Sequence, residues 1–370
     1  MTSTPTPLSS SSLLSVDLGI VEGYYGRPWS WAERADVVTR LAPHGYRFFL
    51  YAPKAATALR RRWREPMSDA ELAPMAAFAA HCRGLDVRFG VGLSPDGFDA
   101  SPERDDWAHL AARLATLDDV LAPDALALLF DDIRGDDATL ADRQAAVCAF
   151  AAARTRARTL YVCPSYYSDD PVLDRVFGAR PADYLVRLGR ALDPSVRIFW
   201  TGEEVCSREY GPAHLARVAD ALGRAPMLWD NYPVNDGARM SQALHLRGST
   251  GRPAALASCI AGHAVNPALQ PVLGCIPLLT LAERYRVGDA AYAYGDAFAR
   301  ACRTVLGDGA LADAIRGDLI PLQDTGLDRL GDQATALRAK YAAFAHPAAR
   351  EVVDWLDGDW RITDEIVRTQ

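Results

Sequence analysis

Eight short runs of aliphatic, β-branched and aromatic residues, each closed by turn formers, recur along the first three quarters of the chain. They are DLGIVEG (17–23), YRFFLYAP (46–53), VRFGVGLSP (87–95), LALLFDDI (126–133), TLYVCPSYY (159–167), VRIFWTG (196–202), PMLWDNYP (226–233) and ALASCIAGHAVNP (255–267). Such runs predict buried strands. Between them the apolar positions fall at helical spacing, as in SWAERADVVTRLAPHG, SDAELAPMAAFAAHCRGL, DWAHLAARLATLDDVL and GPAHLARVADALGRA. Eight strands alternating with helices over roughly 260 residues is the count and length of a (β/α)8 barrel of the TIM type.

An open, doubly wound sheet would place a Gly-rich phosphate turn after the first strand. EGYYGRPW lacks the GxGxxG spacing and runs on into aromatics, which argues against it. Beyond about residue 288 the strand signal stops and helical patterns continue (AAYAYGDAFARACRTVL, DRLGDQATALRAKYAAFA, AAREVVDWLDGDW). The expected organisation is a disordered Ser/Thr/Pro tail (1–16), a catalytic barrel (17–287) and a helical C-terminal extension packed on it (288–370).

Composition narrows the function classes. With 47 acidic against 40 basic residues and no basic, aromatic-interleaved face, nucleic acid is not an expected partner. No apolar run approaches the ~18 residues of a membrane span, and the N-terminus lacks the charged n-region and apolar core of a signal peptide. The seven cysteines are scattered without a CxxC pair, as expected of reduced thiols in a cytoplasm. The histidines show neither HxxxH nor HxH spacing, and there is no GxSxG elbow or P-loop, so neither metal nor cofactor is expected. His263, on a strand run, is expected to be a satisfied core histidine.

In a barrel of this kind the chemistry lies where the strands end. In chain order those ends carry Gly23, Tyr24 and Tyr25; Lys54; Ser94; Asp131 and Asp132; Tyr166 and Tyr167; Thr201; Asp230, Asn231 and Asp236; and Asn266. Hydroxyl-binding Asp, Asn and Lys beside ring-covering Tyr and Trp fit a sugar site. Asp136 and Asp137 fit the start of the next helix. Asp131 and Asp132 do not, because they sit directly on the apolar run; two close carboxylates push their pKa values apart, as glycosidic acid/base chemistry needs. The chain has only two lysines, Lys54 and Lys340, so Lys54 is expected to hold a sugar hydroxyl rather than supply a generic charge.

The ordered blocks GIVEGYYGRPW, FLYAPK with RRRWREP, LLFDDI, CPSYY, WTGEEV and WDNYPVND resemble glycoside hydrolase family 84, the O-GlcNAcase and β-N-acetylglucosaminidase family, over about residues 17 to 285. The resemblance implies a retaining exo-hydrolase of terminal β-linked GlcNAc on a glycoconjugate, in which the substrate's own acetamido oxygen is the nucleophile and an oxazoline forms. It also implies roles: Asp131 orients the acetamido N–H, Asp132 is general acid and base, and Tyr167 steadies the acetamido oxygen. By the same resemblance Gly23 through its backbone, Lys54, Asn231, Asp236 and Asn266 would hold the sugar, and Tyr25 and Trp229 would help wall the acetamido pocket. Where the family often has two acidic residues after the lysine, this chain has Ala55 and Ala56. Competing expectations are a sugar-binding protein on a retired barrel, which has no reason to keep both aspartates, and an endo-acting hyaluronidase, which the missing signal peptide disfavours.

Overall fold

The computed structural model describes residues 16–99, 101, 104–131 and 137–370. Within them eight parallel strands close into a barrel in chain order: β1 Leu18–Glu22, β2 Tyr46–Tyr51, β3 Arg88–Leu93, β4 Ala125–Leu129, β5 Thr159–Cys163, β6 Arg197–Trp200, β7 Met227–Asp230 and β8 Gly262–Val265. β8 pairs with β1, Leu18 opposite His263 and Ile20 opposite Val265, so the sheet has no free edge. The eighth run divides: Ala254–Ser258 is a 3-10 turn, and only Gly262–Val265 joins the sheet.

Helices α1 (Trp31–Leu41), α2 (Asp69–Gly84), α3 (Asp106–Val120), α4 (Leu140–Ala152), α5 (Pro171–Phe177), α6 (Tyr184–Ala191), α7 (Pro212–Leu222) and α8 (Cys275–Val287) follow the strands. Ser30 and Glu33 close α1 with a reciprocal capping box, and Gly223 ends α7 in a left-handed turn.

Strand parity divides the core in two. Val21, Phe48, Leu50, Ala52, Ala125, Ala127, Leu129, Tyr161, Cys163, Phe199, Met227, Trp229 and Ala264 fill the barrel interior. Their neighbours, such as Phe49, Leu126, Leu128, Val162 and Leu228, pack outward under the helices. The interior set fixes which residues beyond each strand end are in phase with the mouth.

The chain after α8 forms α9 (Tyr294–Leu306), α10 (Gly309–Gly317), α11 (Gln333–Ala342), α12 (Pro347–Leu356) and α13 (Asp364–Thr369). This extension meets the loops at the strands' C-terminal ends. Gln323 Oε1 accepts the Leu246 and Arg247 N–H groups at 2.8 Å each. Trp355 Nε1 donates to the Ser241 carbonyl at 3.2 Å, and buried Glu351 accepts the Val272 and Leu273 N–H groups at 2.8 Å each.

Candidate active site

The interior register runs on past the strands. Gly23 and Tyr25 keep the parity of Val21, Lys54 that of Ala52, Asp131 that of Leu129, Tyr167 that of Cys163, Asn231 that of Trp229, and Asn266 that of Ala264. Backbone pairing continues with it. Ala52 N–H donates to Glu22 O at 3.1 Å, Lys54 N–H to Tyr24 O at 3.1 Å, Phe130 N–H to Cys163 O at 2.9 Å and Asn266 N–H to Asp230 O at 2.9 Å. The loops therefore leave the barrel as extensions of the sheet, which fixes their first side chains over its mouth.

An ion pair and a set of hydrogen bonds organise that mouth. Lys54 Nζ forms an ion pair with Asp131 Oδ2, and both side chains are largely withdrawn from solvent. The same ammonium lies 5.6 Å from the centre of the Tyr25 ring. Asn231 Oδ1 accepts from both Trp229 Nε1 and Asn266 Nδ2 at 3.0 Å, while Asn231 Nδ2 donates to Val205 O at 2.8 Å. Asn266 Oδ1 takes the Gly23 N–H at 3.2 Å, and Asp236 Oδ2 takes the Tyr25 N–H at 3.0 Å. One chain of hydrogen bonds thus joins the ends of β7, β8 and β1.

Burial raises the Asp236 carboxyl above its usual range, against the pull of the Tyr25 N–H and the Lys54 charge. Gly23 is required by packing: a Cβ there would stand 2.3 Å from Trp229 Cζ2. Trp229 in turn meets Phe199 edge to face, with ring centroids 5.2 Å apart. Tyr167, half-buried, packs against the interior cluster below it.

The structure brings together Gly23, Tyr25, Lys54, Asp131, Tyr167, Trp229, Asn231, Asp236 and Asn266 at one end of the barrel. Asp132 and Asp136 lie outside the described residues. Asp137 accepts the Thr139 N–H at 2.8 Å just before α4, a helix-leading turn.

Several strand-end residues that looked available are committed to partners within the fold. Asp230 has outward parity and is 1% exposed. Burial would raise its pKa, but the Arg252 guanidinium, gripping it at 2.6 and 2.8 Å, and His263 at 3.0 Å hold it far below the usual carboxylate range. His263 also meets the Tyr285 hydroxyl at 2.9 Å, so it is a partnered core residue. Tyr24 donates to buried Glu22 at 3.2 Å, and Tyr166 donates to the Gly178 carbonyl at 2.7 Å. Thr201 is buried, its hydroxyl turned to the Glu204 carbonyl at 3.1 Å.

Sequence reasoning did not single out Arg60, whose guanidinium lies 5.9 Å from the Tyr25 ring centre. It is one of a run of arginines with nothing in the pattern to separate them. Beside the mouth, with Asn231 as a shared wall, opens a cavity of about 950 Å3 lined by the loops after β6 and β7 and by Gln323, Asp324 and Arg329 of the extension. Among the described residues no three His, Cys, Asp or Glu side chains form a group that could hold a metal ion. No helix among them is long and apolar enough to cross a membrane.

The chain is 28% identical over 279 residues to the protein O-GlcNAcases of Mus musculus and Rattus norvegicus, a match covering 72% of this chain and 30% of each relative. It therefore spans under a third of the length of those relatives. Its fold is similar to that of a mutant O-GlcNAc hydrolase from Thermobaculum terrenum, with a TM-score of 0.76 at 24% identity, covering 92% of this chain and 80% of that one. A family model described as β-N-acetylglucosaminidase matches residues 18–317. The chain thus belongs to the β-N-acetylglucosaminidases, the glycoside hydrolase family 84 that its ordered sequence blocks resemble.

Proposed function

We propose that the chain is a retaining exo-β-N-acetylglucosaminidase that releases terminal β-linked GlcNAc from a glycoconjugate by substrate-assisted catalysis. The observation that carries this reading is the placement of Asp131. Its inward carboxylate is paired with Lys54 in a mouth bordered by Tyr25, Tyr167 and Trp229 and tied together by Asn231 and Asn266.

In the first step the acetamido oxygen attacks C1 from the face opposite the leaving group. The C1–O bond to the aglycone breaks, and Asp132 gives its proton to the departing oxygen. Asp131 accepts the acetamido N–H, which raises the electron density on the attacking oxygen and stabilises the oxazolinium as charge builds. In the second step Asp132, now ionised, takes a proton from water. That water attacks C1 from the side the aglycone left, and the oxazoline C1–O bond opens to return GlcNAc with its β configuration.

Tyr167 steadies the acetamido oxygen, and the Tyr25 and Trp229 rings enclose the acetamido group. Lys54, Asp236, Asn266, Asn231 and the Gly23 backbone hold the sugar hydroxyls. The cavity beyond Asn231 gives room for an aglycone larger than a second sugar ring. Seven free cysteines fit a reducing, cytoplasmic setting.

Purified protein assayed on aryl β-GlcNAc, β-GalNAc, β-glucoside and α-GlcNAc tests the reading. Turnover of the β-GlcNAc glycoside with little on β-glucoside or α-GlcNAc supports it. Equal turnover of β-glucoside, which has no acetamido nucleophile, rejects it.

A further inference from the structure

The segment from Trp360 to Gln370 lies beyond the family match, yet it grips the loop that carries Gly23 and Tyr25. Gly26, directly after Tyr25, has φ +107, and a Cβ there would stand 2.4 Å from Ile362 Cδ1. Its N–H donates to Gln370 Oε1 at 2.7 Å, and Gln370 Nε2 donates back to the Gly26 carbonyl at 3.1 Å. The side-chain amide of Gln370 thus pairs with a main-chain amide as a neighbouring strand would.

Around that pair the contacts repeat. The Arg27 guanidinium lies 4.7 Å over the Trp360 ring. Arg61 Nη1 donates to the Thr369 carbonyl at 2.6 Å, and Arg60 Nη1 to the main-chain oxygen of Gln370. Ser241, on the same loop as Asp236, accepts the Ile362 N–H on its hydroxyl at 3.1 Å.

Tyr25 is therefore held from two sides: its own N–H by Asp236, and both main-chain groups of the next residue by Gln370. We propose that Trp360, Ile362 and above all Gln370 are positioning residues for the sugar site, fixing the loop of Gly23 and Tyr25 in its binding geometry. This rests on the GlcNAc-hydrolase reading above. Without the Gln370 amide, Gly26 is free to rotate and its polar groups turn to water. Substrate must then order the loop as it binds, so affinity falls while the chemical step keeps its groups.

The test compares wild type, Gln370→Ala and Gln370→Glu by kinetics on an aryl β-GlcNAc, by calorimetric binding of GlcNAc, and by Tm. We expect kcat/KM of Gln370→Ala to fall about 5- to 30-fold, with most of the change in KM, and GlcNAc binding to weaken by a similar factor. Gln370→Glu, which keeps an acceptor for the Gly26 N–H, should fall between the two. Unchanged kinetics and GlcNAc affinity in Gln370→Ala overturn the proposal, whether Tm is unchanged or lowered, since a lowered Tm alone marks a purely structural contact. If wild type hydrolyses no glycoside but binds GlcNAc, the hydrolase reading falls and the affinity comparison still decides the positioning role. If it does neither, both are rejected.

Discussion

Deleting the Lys54 charge while keeping its stem, as in Lys54→Met, isolates what the ammonium contributes. Its partner Asp131 is 13% exposed and Lys54 itself 7%, so solvent screens the pair little. A hydrogen bond between charged groups is worth about 1.5–3 kcal/mol, and an ammonium facing a tyrosine ring adds about 0.5–1 kcal/mol. Together these amount to about 2–4 kcal/mol. If Asp131 loses its aim on the acetamido group in the same measure, at about 1.36 kcal/mol per decade kcat/KM on an aryl β-GlcNAc falls roughly 30- to 900-fold. Initial rates over a range of substrate concentrations, with circular dichroism to confirm the fold, make the measurement. A folded Lys54→Met protein whose kcat/KM stays within about threefold of wild type would refute the reasoning.

Other consequences are as direct. Gly23→Ala drives a methyl into Trp229 and should lower kcat/KM by on the order of 10-fold or more, read in the same assay; wild-type kinetics would mean that the indole moves aside freely. Burial lifts the Glu351 carboxyl to about 8, against the pull of its two N–H donors. Because this folded value lies above the unfolded one, the contribution is fully present below about pH 4 and is lost as pH rises through about 8. Tm measured from pH 4 to 9 should therefore decline more steeply in wild type than in Glu351→Gln; parallel profiles would contradict it. Activity on the β-GlcNAc glycoside should survive EDTA, since in the proposed mechanism the substrate supplies the nucleophile and Asp132 the proton; loss restored by zinc or calcium would overturn this.

The barrel was legible because each strand is a compact apolar run and each helix an amphipathic one. Parity carried more than the strand-end reading used. Met227 and Trp229 face inward, so Asn231 belongs to the mouth, while Asp230 belongs with Leu228 outside. A list of polar residues ending each run could not separate the two, nor Tyr167 from Tyr166. Nothing in the sequence announced the Arg252 and His263 partners of Asp230, because they come from residues 22 and 33 positions away in the chain. The role of the extension was equally hidden. Amphipathic spacing predicts that α12 buries a face, but which loop Glu351 caps or Gln370 pairs with depends on how that face docks.

In the proposed mechanism two adjacent aspartates have different tasks, and leaving-group chemistry separates them. If Asp132 is the general acid, Asp132→Ala should be nearly inactive on an alkyl β-GlcNAc yet keep far more activity on an activated aryl glycoside, whose phenolate departs with little protonation. Asp131→Ala should be slow on both, and should lose less on N-trifluoroacetyl substrates, whose acyl oxygen is already a poor nucleophile. The same leaving-group dependence in both variants would contradict this division of tasks. So would rescue of Asp131→Ala by azide giving the inverted glycosyl azide, which would make Asp131 itself the nucleophile.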